Sequence, residues 1–216
     1  MHAVNQKNIQ IPVNGISLPG ILTLVSNPKG IIIFSHGSGS SRLSPRNTFV
    51  ANELNNNGFA TLLFDLLTVE EDAIYENRFN IDLLTDRLVI ITRWIQHQEE
   101  TSKLPIGYFG ASTGAASALK ATALLGTDIR AVVSRGGRPD LVLDAELNNV
   151  RSPVLLIIGS LDHTVINLNQ KAFRAINGIK KIEIIPGANH LFEAPGKLKE
   201  VTKHATYWFT NYVPKE

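Results

Sequence analysis

Gly107-Tyr108-Phe109-Gly110-Ala111-Ser112-Thr113-Gly114 is the most informative run in the chain. Its last five residues fit G-x-S-x-G, a short pattern that gains weight from its surroundings. Apolar Ile106 to Phe109 reads as a buried strand, and Ala-rich Thr113 to Leu125, stopped by Gly126, reads as a helix. A serine between strand and helix sits on a sharp, strained turn that lifts its hydroxyl to the end of a sheet. Backbones pass closely there, so Gly110 and Gly114 supply the needed room, while Ala115, Ala116 and Ala118 let the helix lie near the sheet.

Outward from this turn the same alternation repeats. Ile31 to Phe34, Ala60 to Phe64, Pro105 to Phe109, Ile129 to Val133, Val154 to Ile158 and Lys181 to Ile185 are short, apolar and largely β-branched. Continuous apolar strands, as opposed to alternating ones, belong to a sheet covered on both faces. Between them lie helical patterns over Arg46 to Asn57 (ending at Gly58), Asn80 to Gln98, Thr113 to Leu125, Asn167 to Ile176 and Lys197 to Tyr212. Strands separated by such helices form βαβ units and a parallel sheet. Asn8 to Val13 and Gly20 to Val25, joined around Asn14-Gly15, predict an antiparallel hairpin at the N-terminal edge. The reading is one α/β domain over residues 1–216, with a mostly parallel twisted sheet, helices on both faces and no long insertion to act as a cap. The segment Leu66 to Phe79, with Glu70, Glu71, Asp72 and Glu76, fits neither pattern and reads as a solvated connection, with a flap over the site as the alternative.

Composition narrows the chemistry. The 216 residues carry 21 Lys plus Arg against 19 Asp plus Glu, a net charge of +2, and no basic run. That balance argues against a nucleic-acid partner. With no cysteine in the chain, thiolate catalysis, disulfides and Cys-ligated metals are excluded. No run approaches the roughly 20 apolar residues of a membrane span, and Met1 to Gln10 has no apolar signal core. The expected location is the cytoplasm.

A serine hydroxyl needs a base, and the base an orienting acid. In a strand–turn–helix architecture of this kind the chain order is Ser, then Asp or Glu, then His. Gly159-Ser160-Leu161-Asp162 follows one strand and Pro186-Gly187-Ala188-Asn189-His190 follows another, so Ser112, Asp162 and His190 all fall just past strand carboxyl ends, where open parallel sheets place their sites. Asp140 is the alternative acid. His163 reads as a loop histidine, His2, His97 and His204 as tail or helix-surface residues, and Asp65 as a capping or arginine-pairing residue. The amide of Thr113 and that of Ser38, with Gly37 as the alternative, are expected to bind the oxyanion, because Ser35-His36-Gly37-Ser38-Gly39-Ser40-Ser41 is small enough to approach a ligand with its backbone. No Lys follows in the phosphate-cradling pattern. Arg42, Arg46, Arg135 and Arg138 are expected at the same rim. They either hold a substrate carboxylate or phosphate or pair internally with Asp65, Asp140 or the Glu70-Glu71-Asp72 run.

His36-Gly37-Ser38-Gly39, the Gly110 to Gly114 turn, Gly159-Ser160-Leu161-Asp162 and Gly187-Ala188-Asn189-His190-Leu191-Phe192 together resemble the α/β-hydrolase superfamily, and within it the small, capless dienelactone hydrolase-like proteins, from Ile31 to about Val213. Gly107 to Gly114 and Arg135-Gly136-Gly137-Arg138-Pro139 also resemble hydrolase domains sometimes joined to phosphoribosyltransferases. The resemblance implies Ser112 as nucleophile, Asp162 as acid and His190 as base. Dienelactone hydrolases proper carry a cysteine nucleophile preceded by glutamate, where this chain has Ser112 and Ala111, which argues against a dienelactone as substrate. The family's arginines hold an anionic substrate group, and those of this chain do not match them one to one.

The expected activity is hydrolysis of a small carboxylic ester or related acyl bond, with an acyl-enzyme intermediate and without metal or organic cofactor. The substrate is a small acyl compound that can be anionic. A lactone, thioester or amide would use the same machinery. A non-catalytic binding module on the same fold is the competing reading, although a binder has no physical need for all three of Ser, Asp and His.

Overall fold

The computed structural model describes residues 4–214. One eight-stranded sheet organises them: β1 (Val4–Val13), β2 (Ile16–Val25), β3 (Ile31–Ser35), β4 (Ala60–Phe64), β5 (Ile106–Ala111), β6 (Ile129–Arg135), β7 (Val154–Gly159) and β8 (Lys180–Ile185), in the order β1-β2-β4-β3-β5-β6-β7-β8. β1 pairs antiparallel with β2 and β2 with β4, and every later pairing is parallel. The carboxyl ends of β3 to β8 therefore line one edge. The helices are α1 (Pro45–Asn56), α2 (Val69–Ala73), α3 (Ile81–Gln96), α4 (Thr113–Leu125), α5 (Asp144–Leu147), α6 (His163–Ala175) and α7 (Lys197–Tyr212).

Alternation along the strands splits the core in two. Ile31 and Ile33 face the layer that holds Leu88 of α3, Leu119 of α4 and Ala172 of α6. Ile32 and Phe34 face Val50 and Leu54 of α1 and Ala205 and Phe209 of α7. Both faces are dry, which explains why the central strands carry no polar alternation. The connection from β6 to β7, residues 136–153, contains only a 3-10 turn at Pro139–Leu141 and the four residues of α5, so nothing roofs the edge from this side.

Two elements extend past their sequence reading, and one connection proves ordered. The hairpin turns at Asn14 and Gly15, both at positive φ (46° and 85°), as a two-residue turn with a right-handed twist requires. Its ladder runs back to Val4 and includes Pro19, which sits opposite Gln10 before β2 begins to pair with β4 at Gly20. A proline is tolerated on that unpaired side. Helix α6 begins at His163, not Asn167, because the β-branched Thr164-Val165-Ile166 run hides a helical start. The segment Leu66 to Phe79 is an ordered connection: Thr68 and Glu71 form a reciprocal cap at α2, Arg87 reaches Glu71 at 2.5 Å, and Arg78 pairs with Asp72 at 2.9 Å.

Candidate active site

Ser112 adopts φ 52° and ψ −120°, the strained conformation expected of a side chain displayed between β5 and α4. The packing that enforces it leaves no space for side chains. A Cβ at 110 would lie 2.5 Å from Ala115 Cα, and one at 114 would lie 2.2 Å from the Ser35 carbonyl oxygen. A Cβ at 37 would meet Ser112 Cβ at 3.0 Å, so the loop after β3 lies directly on the turn. The Ser112 amide donates to the Arg135 carbonyl at 3.2 Å, and its own carbonyl accepts from Arg138 at 3.1 Å.

Across β6 the edge is closed by the acid and the imidazole. His190 Nδ1 lies 2.6 Å from Asp162 Oδ2, with the acid 15% exposed and the imidazole 39% exposed. Their loops are knitted together. Leu161 N–H donates to the Ala188 carbonyl at 3.0 Å and Gly187 N–H to Ser160 Oγ at 2.8 Å. A Cβ at 159 would strike the Ala188 carbonyl oxygen at 2.3 Å, so only glycine lets the two loops meet. Asn189 Oδ1 then accepts from the amides of Leu191 and Glu193, at 3.1 and 3.2 Å, and shapes the turn that carries His190. Gly136, at φ 52°, stands between the halves: it follows the residue bonded to Ser112, and a Cβ on it would lie 3.3 Å from His190 Cε1.

The structure thus brings Ser112, Asp162 and His190 to one edge of the sheet. Asp140 instead pairs with Arg138, at 2.8 Å from Nε and 2.7 Å from Nη2. His163 is the exposed first residue of α6, and His97 is exposed where α3 ends. His204 lies 3.7 Å from Glu183, and His2 lies outside the described residues.

The structure adds partners to two of the expectations. The Ser38 amide, expected to bind an oxyanion, donates to Thr113 Oγ1 at 2.9 Å, so an incoming oxygen must displace that hydroxyl to use it. The Thr113 amide is the first of helix α4, where N–H groups have no intrahelical acceptor. Arg42 and Arg138 take the second of the two roles expected of them, internal pairing. Arg42 forms an ion pair with Asp65, whose other oxygen takes the Arg42 amide at 2.6 Å, and Arg138 holds Asp140. Arg135 differs from both. It is 8% exposed, with Nε and Nη1 buried and without a hydrogen-bond partner.

One contributor escapes a motif search. His36 is buried, and its Nε2 accepts the Leu66 amide at 3.1 Å, which leaves Nδ1 to donate to the Gly37 carbonyl at 3.0 Å. Burial holds its pKa below the ordinary 6.5, against the upward pull of the Gly37 bond and of Asp65 and Asp72. The neutral ring thereby ties the glycine-rich loop to the connection after β4. Among the described residues no cluster of three or more His, Asp or Glu side chains suited to a metal is present, and no helix is long and apolar enough to cross a membrane.

Residues 18–212 match the model of the dienelactone hydrolase family. A dienelactone hydrolase of Anabaena variabilis has a crystal structure that superposes with a TM-score of 0.94 at 46% identity, covering 97% of this chain and 99% of that one. Ferulic acid-bound Est1E of Butyrivibrio proteoclasticus shares the fold at 18% identity, with a TM-score of 0.82 over 94% of this chain and 98% of that one. A Mycobacterium tuberculosis protein provisionally named a phosphoribosyl transferase is 49% identical over 210 residues, 97% of this chain and 47% of that protein. The chain therefore spans about half the length of the curated relatives it matches.

Proposed function

The chain belongs to the dienelactone hydrolase family, hydrolases of the α/β-hydrolase fold, and within it we propose a serine hydrolase that cleaves a small carboxylic ester or related acyl bond. The observation that carries this reading is the 2.6 Å contact between His190 Nδ1 and Asp162 Oδ2, on the same sheet edge as the strained Ser112. With Nδ1 engaged by the carboxylate, Nε2 is the nitrogen free to exchange a proton.

Ser112 Oγ attacks the substrate carbonyl carbon and passes its proton to His190 Nε2. The carbonyl π pair moves onto oxygen, and the Thr113 amide, at the positive end of α4, stabilises that charge. Collapse of the tetrahedral species expels the alcohol, which takes the proton from His190, and leaves an acyl group on Ser112. Water then adds with His190 as base, and a second collapse releases the acid and restores the serine. Asp162 keeps the imidazole in the productive tautomer throughout. The short connection between β6 and β7 leaves the edge open, which suits small or exposed esters.

Labelling with an active-site phosphonate tests the reading. The adduct is expected on the peptide containing Ser112, with loss of short-chain aryl ester hydrolysis in step. A protein that stays unlabelled, or that hydrolyses ester as before once Ser112 is replaced by alanine, is not this enzyme.

A further inference from the structure

Residues 135–138 touch both sides of the candidate site. The Arg135 carbonyl accepts the Ser112 amide, and the Arg138 amide donates to the Ser112 carbonyl. Between them, a Cβ on Gly136 would lie 3.3 Å from both Cε1 and the carbonyl oxygen of His190. Yet the middle of this segment is Gly136-Gly137, the backbone with the most freedom to lose and with no side chain to anchor it. Its position has to be fixed by neighbouring elements.

Two hydrogen bonds do so. The Gly136 amide donates to the Ile157 carbonyl of β7 at 2.8 Å. The Gly137 carbonyl accepts from Asn169 Nδ2 at 2.9 Å. Asn169 lies on α6 with 0% exposure, and the same Nδ2 donates at 2.8 Å to the Val165 carbonyl, in the first turn of that helix. Its Oδ1 is buried without a partner. A buried amide with one end unsatisfied costs stability. An apolar residue of the same size would avoid that cost, but it would leave the Gly137 carbonyl without this donor. The side chain therefore spans from the helix that opens at Asp162 to the turn on which His190 rests.

We propose that Asn169 is a positioning residue of this site: by holding the Gly137 carbonyl against α6 it fixes the Gly136 backbone beside the His190 ring, and so keeps the imidazole that Asp162 orients in register with Ser112. It touches no substrate and transfers no proton. Its effect on turnover rests on the serine hydrolase reading, whereas its hold on the ring does not.

The test uses the full chain and three variants. Asn169→Leu keeps the volume and removes both bonds. Asn169→Ser keeps a hydroxyl for the Val165 carbonyl, one turn back, but cannot reach Gly137. Ser152→Ala is the control, because it deletes a buried bond of the same kind, from Ser152 Oγ to the Ile129 carbonyl at 2.6 Å, at the amino edge of the sheet. For each, kcat and KM for p-nitrophenyl acetate are measured beside the thermal midpoint. The Cε1–H peak of His190 is followed in a proton–carbon correlation spectrum, assigned by its loss in His190→Gln. Both Asn169 variants should lower kcat by about 10- to 100-fold with KM changed less than about twofold, since a small displacement of a reacting group costs that much. The His190 peak should move in both, while those of His97 and His204 stay. Ser152→Ala should melt several degrees earlier and keep kcat and the His190 peak.

Asn169 variants that melt earlier but retain kcat and the wild-type peak overturn the proposal, for the side chain then serves the fold alone. A fall in kcat with the peak unmoved overturns it equally, because the effect would not pass through His190. So does a Ser152→Ala chain that slows turnover and moves the peak as much as the Asn169 variants do. If the wild type hydrolyses no ester, the serine hydrolase reading fails, and the peak still decides whether Asn169 holds the ring.

Discussion

The two halves of the candidate site hold their functional side chains in different ways. The half around β3 and β5 positions Ser112 by exclusion: backbone atoms press against Gly110 and Gly114 so closely that no side chain fits, and Gly37 lies tightly on the turn. The half around β7 and β8 has one such close approach, at Gly159, but holds the His190 ring itself by attraction, through one contact to Asp162 and a few loop hydrogen bonds, with the imidazole more than a third exposed. Steric placement is rigid and fails abruptly when volume is added. Placement by a hydrogen bond fails chemically, when the partner changes, while the fold survives. Ser112 and His190 are thus exposed to different kinds of damage.

The largest effect should come from the atom that the first half exists to present. Ser112→Ala should lower kcat for an aryl ester by on the order of 10^5- to 10^6-fold while the circular dichroism spectrum is retained. A loss of only a few fold would mean that the rigid half presents nothing reactive. Next comes Asp162→Asn, expected to lower kcat by roughly 10^4-fold with little change in KM, because the amide favours the wrong imidazole tautomer. Steady-state kinetics on both variants weighs one half against the other.

Gly114→Ala should act on stability. Its Cβ would meet the Ser35 and His36 carbonyl oxygens at 2.2 and 2.3 Å, and neither can yield without moving β3. A loss of about 3 kcal/mol or more is expected in urea denaturation. Gly187→Ala, in the second half, meets nothing nearer than 4.0 Å and should cost only the strain of its φ of 70°, about 1–2 kcal/mol. Equal losses in the two would dissolve the contrast.

The smallest effect is titratable. His36 is held neutral in the folded chain below its ordinary 6.5, whereas the unfolded chain protonates it near that value. The unfolded state therefore binds more protons as the pH drops below about 6.5, so stability falls with acidification, by up to about 1.4 kcal/mol per pH unit, and levels off below the folded-state value. Thermal melts from pH 7 to 5 should show this slope, and His36→Asn should remove it. A slope unaltered by His36→Asn would place the proton uptake elsewhere.

Much of this was legible in the sequence, and the exceptions have a common cause. The β5–α4 turn could be read because its constraint is local: small residues at fixed offsets from a serine. Asp162 and His190 could be placed because strand ends are local features and the sheet's topology carries them to one edge. Which arginine finds a carboxylate could not be read, since Arg42 meets Asp65 and Arg138 meets Asp140 through the way the loops fold, while Arg135 at the same edge meets none. The acceptor of the Ser38 amide could not be read for the same reason, because it is a hydroxyl 75 positions away. His36 was read only as part of a loop of small residues, and the bond from the Leu66 amide shows it as the pin that fixes that loop.

Asp162 also begins α6, where an aspartate would ordinarily seal the first turn, yet its side chain makes no capping bond because it turns to His190. On the proposed serine hydrolase reading, the helix start is left open so that the acid can serve the base, and heat resistance is exchanged for turnover at this one position. Asp162→Ser, whose hydroxyl has only the helix to serve, should melt later than the parent and be far slower, so a selection for thermal endurance alone would erode the enzyme from this residue outward.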